Sequence, residues 1–122
     1  MRKIKTNNKE AYYGSPLNEL IRSEGRKDMV VINIDLAINY YKDGEFRFIE
    51  SKRGMEKMGK GQEIFLQKLS RAGIDTFTIY GDAPYNSARI YSFQENKELT
   101  VDHIELLNFL NNKVKFNQLE II

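Results

Sequence analysis

Residues 32–54 read INIDLAINYYKDGEFRFIESKRG, and the choice of fold turns on them. Asp43-Gly44 is a strong turn signal between two runs rich in β-branched and aromatic residues. The stretch therefore reads as a strand, a turn and an antiparallel strand. The overlapping run MVVINIDLAIN (29–39) is so densely apolar that it predicts a strand covered on both faces. Asp35 stands inside that run, and Glu50 and Lys52 close the second one. An isolated buried carboxylate is costly, so Asp35 needs a partner, a metal ion or a cleft.

Side chains alternate along a strand, so Glu50 and Lys52 share one face and Ser51 takes the other. With a tight turn at Asp43-Gly44, paired residue numbers sum to about 87, which sets Asp35 opposite residue 52. The three charged groups then converge at one end of the hairpin. Two carboxylates brought together repel unless a cation lies between them. Mg2+ prefers carboxylate, carbonyl and water oxygens. A lysine two residues after the glutamate can orient a nucleophile and offset negative charge on a phosphate. The same residues also fit an exposed edge hairpin with a surface ion pair, which contributes only about 0–1 kcal/mol.

On the N-terminal side, SPLNELIRSEG (15–25) predicts a helix, with Ser15 as N-cap, Pro16 at the first position and Gly25 as stop. On the other side, GMEKMGKG (54–61) is a glycine-punctuated loop that fits neither a P-loop nor a dinucleotide fingerprint. It leads into a helix in QEIFLQKLSRAG (62–73). IDTFTIYG (74–81) predicts a strand and RIYSF (89–93) a short one. TVDHIELLNFLNN (100–112) predicts an amphipathic helix capped by Thr100, with Ile104, Leu107 and Leu110 on its apolar face. VKFNQLEII (114–122) alternates weakly and reads as a strand or a partner-binding tail. The order is helix, strand, strand, a third strand, helix, strand, strand, helix. That order predicts the α/β (α+β) class, a mixed central sheet flanked by helices. The chain, 1–122, reads as one domain. Residues 1–13 form a loose N-terminal arm, 15–93 the core, and 100–122 a C-terminal helix and tail.

Composition narrows the chemistry. Charged residues make up 30% and apolar residues 41% of the 122, a globular balance. Cysteine is absent, which excludes a disulfide scaffold, thiolate zinc sites and a thiol nucleophile. The single histidine, His103, argues against a histidine triad or a multi-histidine metal site. No apolar stretch approaches the roughly 18 residues of a membrane span, so a soluble, intracellular protein is expected, with no membrane partner. Residues 1–60 hold 13 basic and 9 acidic residues, and residues 61–122 hold 6 and 8. The densest basic stretch, SKRGMEKMGK (51–60), lies beside the hairpin motif. Arg53, Lys57 and Lys60 there are candidate phosphate contacts. The seven tyrosines could stack on bases or pack on strand faces.

Asp35 followed by Glu50-Ser51-Lys52 resembles the PD-(D/E)xK nuclease superfamily, whose members share the restriction-endonuclease-like fold. The likeness runs from about Ser15 to Phe93. The helix that follows the loop is similar to that of small VRR-NUC nucleases and archaeal Holliday-junction resolvases. Ile34 stands where the family pattern has proline. The resemblance implies that Asp35, Glu50 and the Ser51 carbonyl hold Mg2+, with Mn2+ as substitute. It further implies that Lys52 acts on the water or the phosphate, that Gln62 supports the site, and that Glu19 on the first helix is a possible accessory. The implied activity is a metal-dependent DNA endonuclease. Branched or Holliday-junction DNA is the narrower substrate, and a homodimer is the form that cuts two strands. Its contact is expected from the C-terminal helix and KFNQLEII. The alternative is a non-catalytic nucleic-acid-binding or assembly protein that keeps the same fold.

Overall fold

A computed structural model describes residues 16–29, 31–32 and 35–119. The chain divides into two compact units, Met1–Val31 and Ile32–Ile122. The first contributes one described helix, α1 (Pro16–Glu24). It ends where expected, with the Gly25 N–H donating to the Ile21 carbonyl. The arm at 1–13 and the proposed cap Ser15 lie outside the described residues, as do Val30, Asn33 and Ile34 in the first apolar run.

The second unit is a five-stranded mixed sheet flanked by helices. The strands are β1 (Leu36–Tyr40), β2 (Glu45–Lys52), β3 (Asp75–Tyr80), β4 (Ser87–Ser92) and β5 (Lys97–Asp102), in that order across the sheet. Helix α2 (Lys60–Arg71) crosses over between β2 and β3, which pair in parallel; the other pairs are antiparallel. Helix α3 (His103–Leu110) follows β5, and the short helix α4 (Phe116–Leu119) closes the described chain. Among the described residues no helix is long and apolar enough to cross a membrane.

The hairpin forms, but its register differs from the expected one. Leu36 pairs with Ile49 and Tyr40 with Glu45, so paired numbers sum to 85. The connection is four residues long, not two. The Asp43 N–H donates to the Tyr40 carbonyl at 2.9 Å, and Gly44 takes the left-handed conformation at φ 70°. The difference of two residues keeps every side chain on its expected face; a slip of one would have reversed them all.

The densely apolar first run does not make a strand covered on both faces. β1 is an edge strand of five residues, with Leu36, Ala37 and Asn39 exposed. Asp35 sits just before it in a bend and is exposed. Between the described part of that run and α2 there are two strands, not three.

The core lies on the sheet face that carries Ile49, Phe77, Ile79, Ile90 and Val101. α3 covers this face through Leu106 and Phe109, and α4 through Phe116 and Leu119. Phe77 meets Phe109 edge-on, with ring centroids 4.9 Å apart. Two expectations change here. Thr100 lies in β5, and Asp102 caps α3: its side chain accepts from the Glu105 N–H while Glu105 reaches back to the Asp102 N–H. The buried face of α3 carries Leu106 and Phe109, while Ile104 and Leu107 are exposed. The cap sits two residues later than expected, and of the three expected apolar positions only Leu110 packs against the core. The tail is likewise no free strand or partner-binding tail up to Leu119, because Phe116 and Leu119 are core residues. Residues 120–122 lie outside the described residues.

Arg47 is buried on this core face at 2% exposure. Its guanidinium donates to the Phe109 carbonyl and to Asn112 Oδ1, both at 2.7 Å. It also lies over the Phe109 and Tyr40 rings, 4.3 and 4.8 Å from their centroids. A cation at the C-terminal end of α3 complements the carbonyls left open there.

Candidate active site

The opposite face of β2 carries Phe48, Glu50 and Lys52, by alternation from Arg47, Ile49 and Ser51. Helix α2 packs over this face against β3 and buries Leu66. Glu50 pairs in register with Thr78, and Lys52 with Tyr80. These residues sit at the carboxyl ends of two parallel strands, where sheets of this kind open into ligand-binding crevices.

The structure brings the sequence-predicted residues of the hairpin together. Asp35 is one step beyond the Leu36–Ile49 pair, so it lies across from Glu50 and not from residue 52. Its Oδ2 accepts a hydrogen bond from the Ser51 N–H at 2.9 Å. Glu50 is only 4% exposed, which makes it the buried carboxylate of the pair. Gln62 Nε2 donates to Glu50 Oε2 at 2.8 Å from the first turn of α2. Lys52 Nζ lies 3.7 Å from the same Glu50 oxygen and 3.8 Å from Glu56 Oε2.

Burial pushes the Glu50 carboxyl above its ordinary range, and the nearby Asp35 charge pushes it the same way. The Lys52 ammonium and the Gln62 amide act against both. The centre is therefore a pair of mutually repelling carboxylates, one dry and one wet, with a lysine at its mouth. The N–H and C=O of one residue in an extended strand point to the same edge. The Ser51 carbonyl is thus directed to the β1 side, where its N–H meets Asp35. The donor set is two carboxylates and a carbonyl, all hard oxygens, and this chemistry fits Mg2+ or Mn2+. Among the described residues there is no group of three or more His, Cys, Asp or Glu side chains arranged to hold a metal. A divalent ion here would rely on the Ser51 carbonyl and on water or phosphate oxygens to complete its shell.

The basic residues lie along the loop that leaves β2. Arg53 and Lys57 are exposed on it, and Lys60 opens α2. Lys57 lines a cavity of about 590 Å³ together with Gly54, Glu56, Glu63, Tyr80 and Arg89. Glu19 lies on α1 in the first unit, where it pairs with Arg22 at 3.6 Å. The single histidine, His103, opens α3 with its Nδ1 3.1 Å from the Tyr85 carbonyl. Tyr40 donates to the Leu110 carbonyl at 2.7 Å, and Tyr91 packs edge-on against Phe93. Tyr12 and Tyr13 lie outside the described residues.

Several residues at the site were not singled out by sequence. Glu56 meets Lys52 at i+4, a spacing legible in ESKRGME had the loop been read as compact. Arg89 donates to the Gly54 carbonyl at 2.8 Å and lies over the Tyr80 ring, which fixes the loop from the far side. Thr78 is fully buried beside Glu50 in register, and its Oγ1 has no hydrogen-bond partner among the described residues. No local signal marks Arg89 or Thr78, because both reach the site through strand pairing. Among known proteins, no family model matches the chain, and no curated protein or solved structure matches it significantly.

Proposed function

We propose that the chain is a Mg2+-dependent DNA endonuclease of the PD-(D/E)xK kind, built on a restriction-endonuclease-like core. One observation carries the reading: Asp35, Glu50 and Lys52 meet at one end of a hairpin, and Gln62 from the following helix grips Glu50. Asp35, Glu50 and the Ser51 carbonyl would hold the ion. Once bound, it would supply Lewis-acid activation of water and phosphate. Gln62 keeps Glu50 Oε2 oriented. Lys52 offsets negative charge developing on the phosphate and orients the attacking water. Arg53, Lys57 and Lys60 would neutralise backbone phosphates beside the scissile one.

One such centre cuts one strand. A homodimer with two-fold symmetry would cut both, or cut a junction symmetrically, which makes branched DNA the narrower substrate. Among the described residues near the C-terminus, Ile104 and Leu107 are exposed on α3 and available for an apolar contact.

The test is cleavage of linear, flapped and four-way-junction DNA with Mg2+ or Mn2+. Lys52→Ala and Asp35→Asn are each expected to cost on the order of 10²-fold or more in rate. Parent-like cleavage by both variants would remove the site assignment. A second reading, a non-catalytic DNA-binding protein, draws on Lys52 lying between two carboxylates, which balances charge within the protein. DNA retention that weakens with salt, with no cleavage under any metal condition, would favour it.

A further inference from the structure

We propose that Glu56 is a positioning residue, which holds the Lys52 ammonium at the mouth of the Asp35–Glu50 pair. The inference rests on the nuclease reading for its catalytic consequence, but its geometric core stands on the side chains alone. Lysine carries its charge on a flexible four-carbon stem, so one contact leaves much of its freedom intact. Here Nζ lies between Glu50 Oε2 at 3.7 Å and Glu56 Oε2 at 3.8 Å, and the side chain is only 11% exposed.

Glu56 is itself fixed. Its Oε1 accepts from the Arg53 N–H at 2.9 Å, while its own N–H donates to the Arg53 carbonyl at 3.1 Å. The two carboxylate oxygens thus act separately, Oε1 closing the turn and Oε2 facing Lys52. The backbone is also tied down just before the turn and within it. Arg89 donates to the Gly54 carbonyl at 2.8 Å, and the Gly81 N–H donates to the Lys52 carbonyl at 2.9 Å. Glu50 and Glu56 then divide the work. Glu50 sits within the proposed ligand set, so its charge is shared with a bound cation. Glu56 lies outside that set and keeps its attraction for Lys52 when the pull of Glu50 is weakened.

Glu56→Gln keeps the shape and removes the charge. The residue lies on a half-exposed loop, and a thermal melt would verify that the variant folds. In the metal-free chain, labelling of Lys52 by an amine-reactive acylating reagent, followed by mass spectrometry, is expected to rise severalfold. Mn2+ affinity measured by calorimetry is expected to stay within about twofold. In cleavage, kcat is expected to fall roughly tenfold with KM nearly unchanged, as for a misplaced catalytic group. Glu56→Asp, which retains the charge, is expected to lower the labelling and raise kcat part of the way back to the parent values. Parent-like labelling of Lys52 in Glu56→Gln overturns the proposal. A loss of Mn2+ affinity in that variant overturns it too, because Glu56 would then be a ligand. If the parent cleaves no DNA, the nuclease reading fails by itself, and the labelling still decides whether Glu56 holds Lys52.

Discussion

Glu50 shows how much one buried carboxylate determines. Its raised pKa means that the charged form is disfavoured in the fold when no cation is bound. The sign follows from linkage. The folded state takes up a proton more readily than the unfolded chain, so the associated stability is present below the unfolded glutamate range. It is lost as pH rises through the raised value. Glu50→Gln lacks this loss. The metal-free variant is therefore expected to melt higher than the parent at pH 7, with the difference vanishing near pH 4. A gain of about 1 kcal/mol corresponds to roughly 4–8 °C in a domain of this size. A melting series across pH, with chelator present, measures it. Saturating Mn2+ is expected to reverse the order, because only the parent retains both carboxylates for the ion. The residue types of this centre were legible in the sequence, but their environments were not. Asp35 looked buried within its apolar run and is exposed, while Glu50, at the end of its strand, is the buried one. Burial is set by what packs on a strand, here α2 over β2 and β3, and local hydrophobicity does not report that.

Strand β2 joins both layers of the second unit. Arg47 on one face ties down the end of α3, and Glu50 on the other takes a hydrogen bond from α2. Removing the Arg47 side chain would take a charged donor from the Phe109 carbonyl and from Asn112 Oδ1, leave Asp75 without its ion-pair partner and open a cavity beside the Phe109 ring. Arg47→Ala is expected to cost about 3–5 kcal/mol, read as a lower urea midpoint. Asp102→Ala, which opens the capping box of α3, is expected to cost about 1 kcal/mol in the same experiment. Parent-like midpoints would mean that neither contact holds α3. The hairpin and α2 were readable because their signals are local: an Asp-Gly turn, and an apolar period of helical spacing. Strand β5 was missed because KELTVD runs straight into the helix that follows, and only pairing with β4 sets the boundary at Asp102. Arg47 gave no sign of burial because its hydrogen-bond partners lie more than sixty residues away.

For the whole molecule, the mixed sheet and its flanking helices follow the expected class. Charge is distributed unevenly, and the candidate centre sits beside the basic loop at 53–60. If that loop meets phosphate, Lys57→Ala is expected to weaken binding about equally for all DNA sequences. It should also reduce the slope of log affinity against log salt by about 1. An unchanged slope would remove Lys57 from the interface. Exposed Ile104 and Leu107 are where a two-fold contact near the C-terminus would be sought by analytical ultracentrifugation. Whether the two carboxylates share one ion is best settled by an anomalous difference map from crystals soaked in Mn2+. A peak between the Asp35 and Glu50 carboxylates and the Ser51 carbonyl is expected, absent in Asp35→Asn. Manganese bound elsewhere at saturating concentration, with Lys52 still bridging Glu50 and Glu56, would contradict a metal centre at this hairpin.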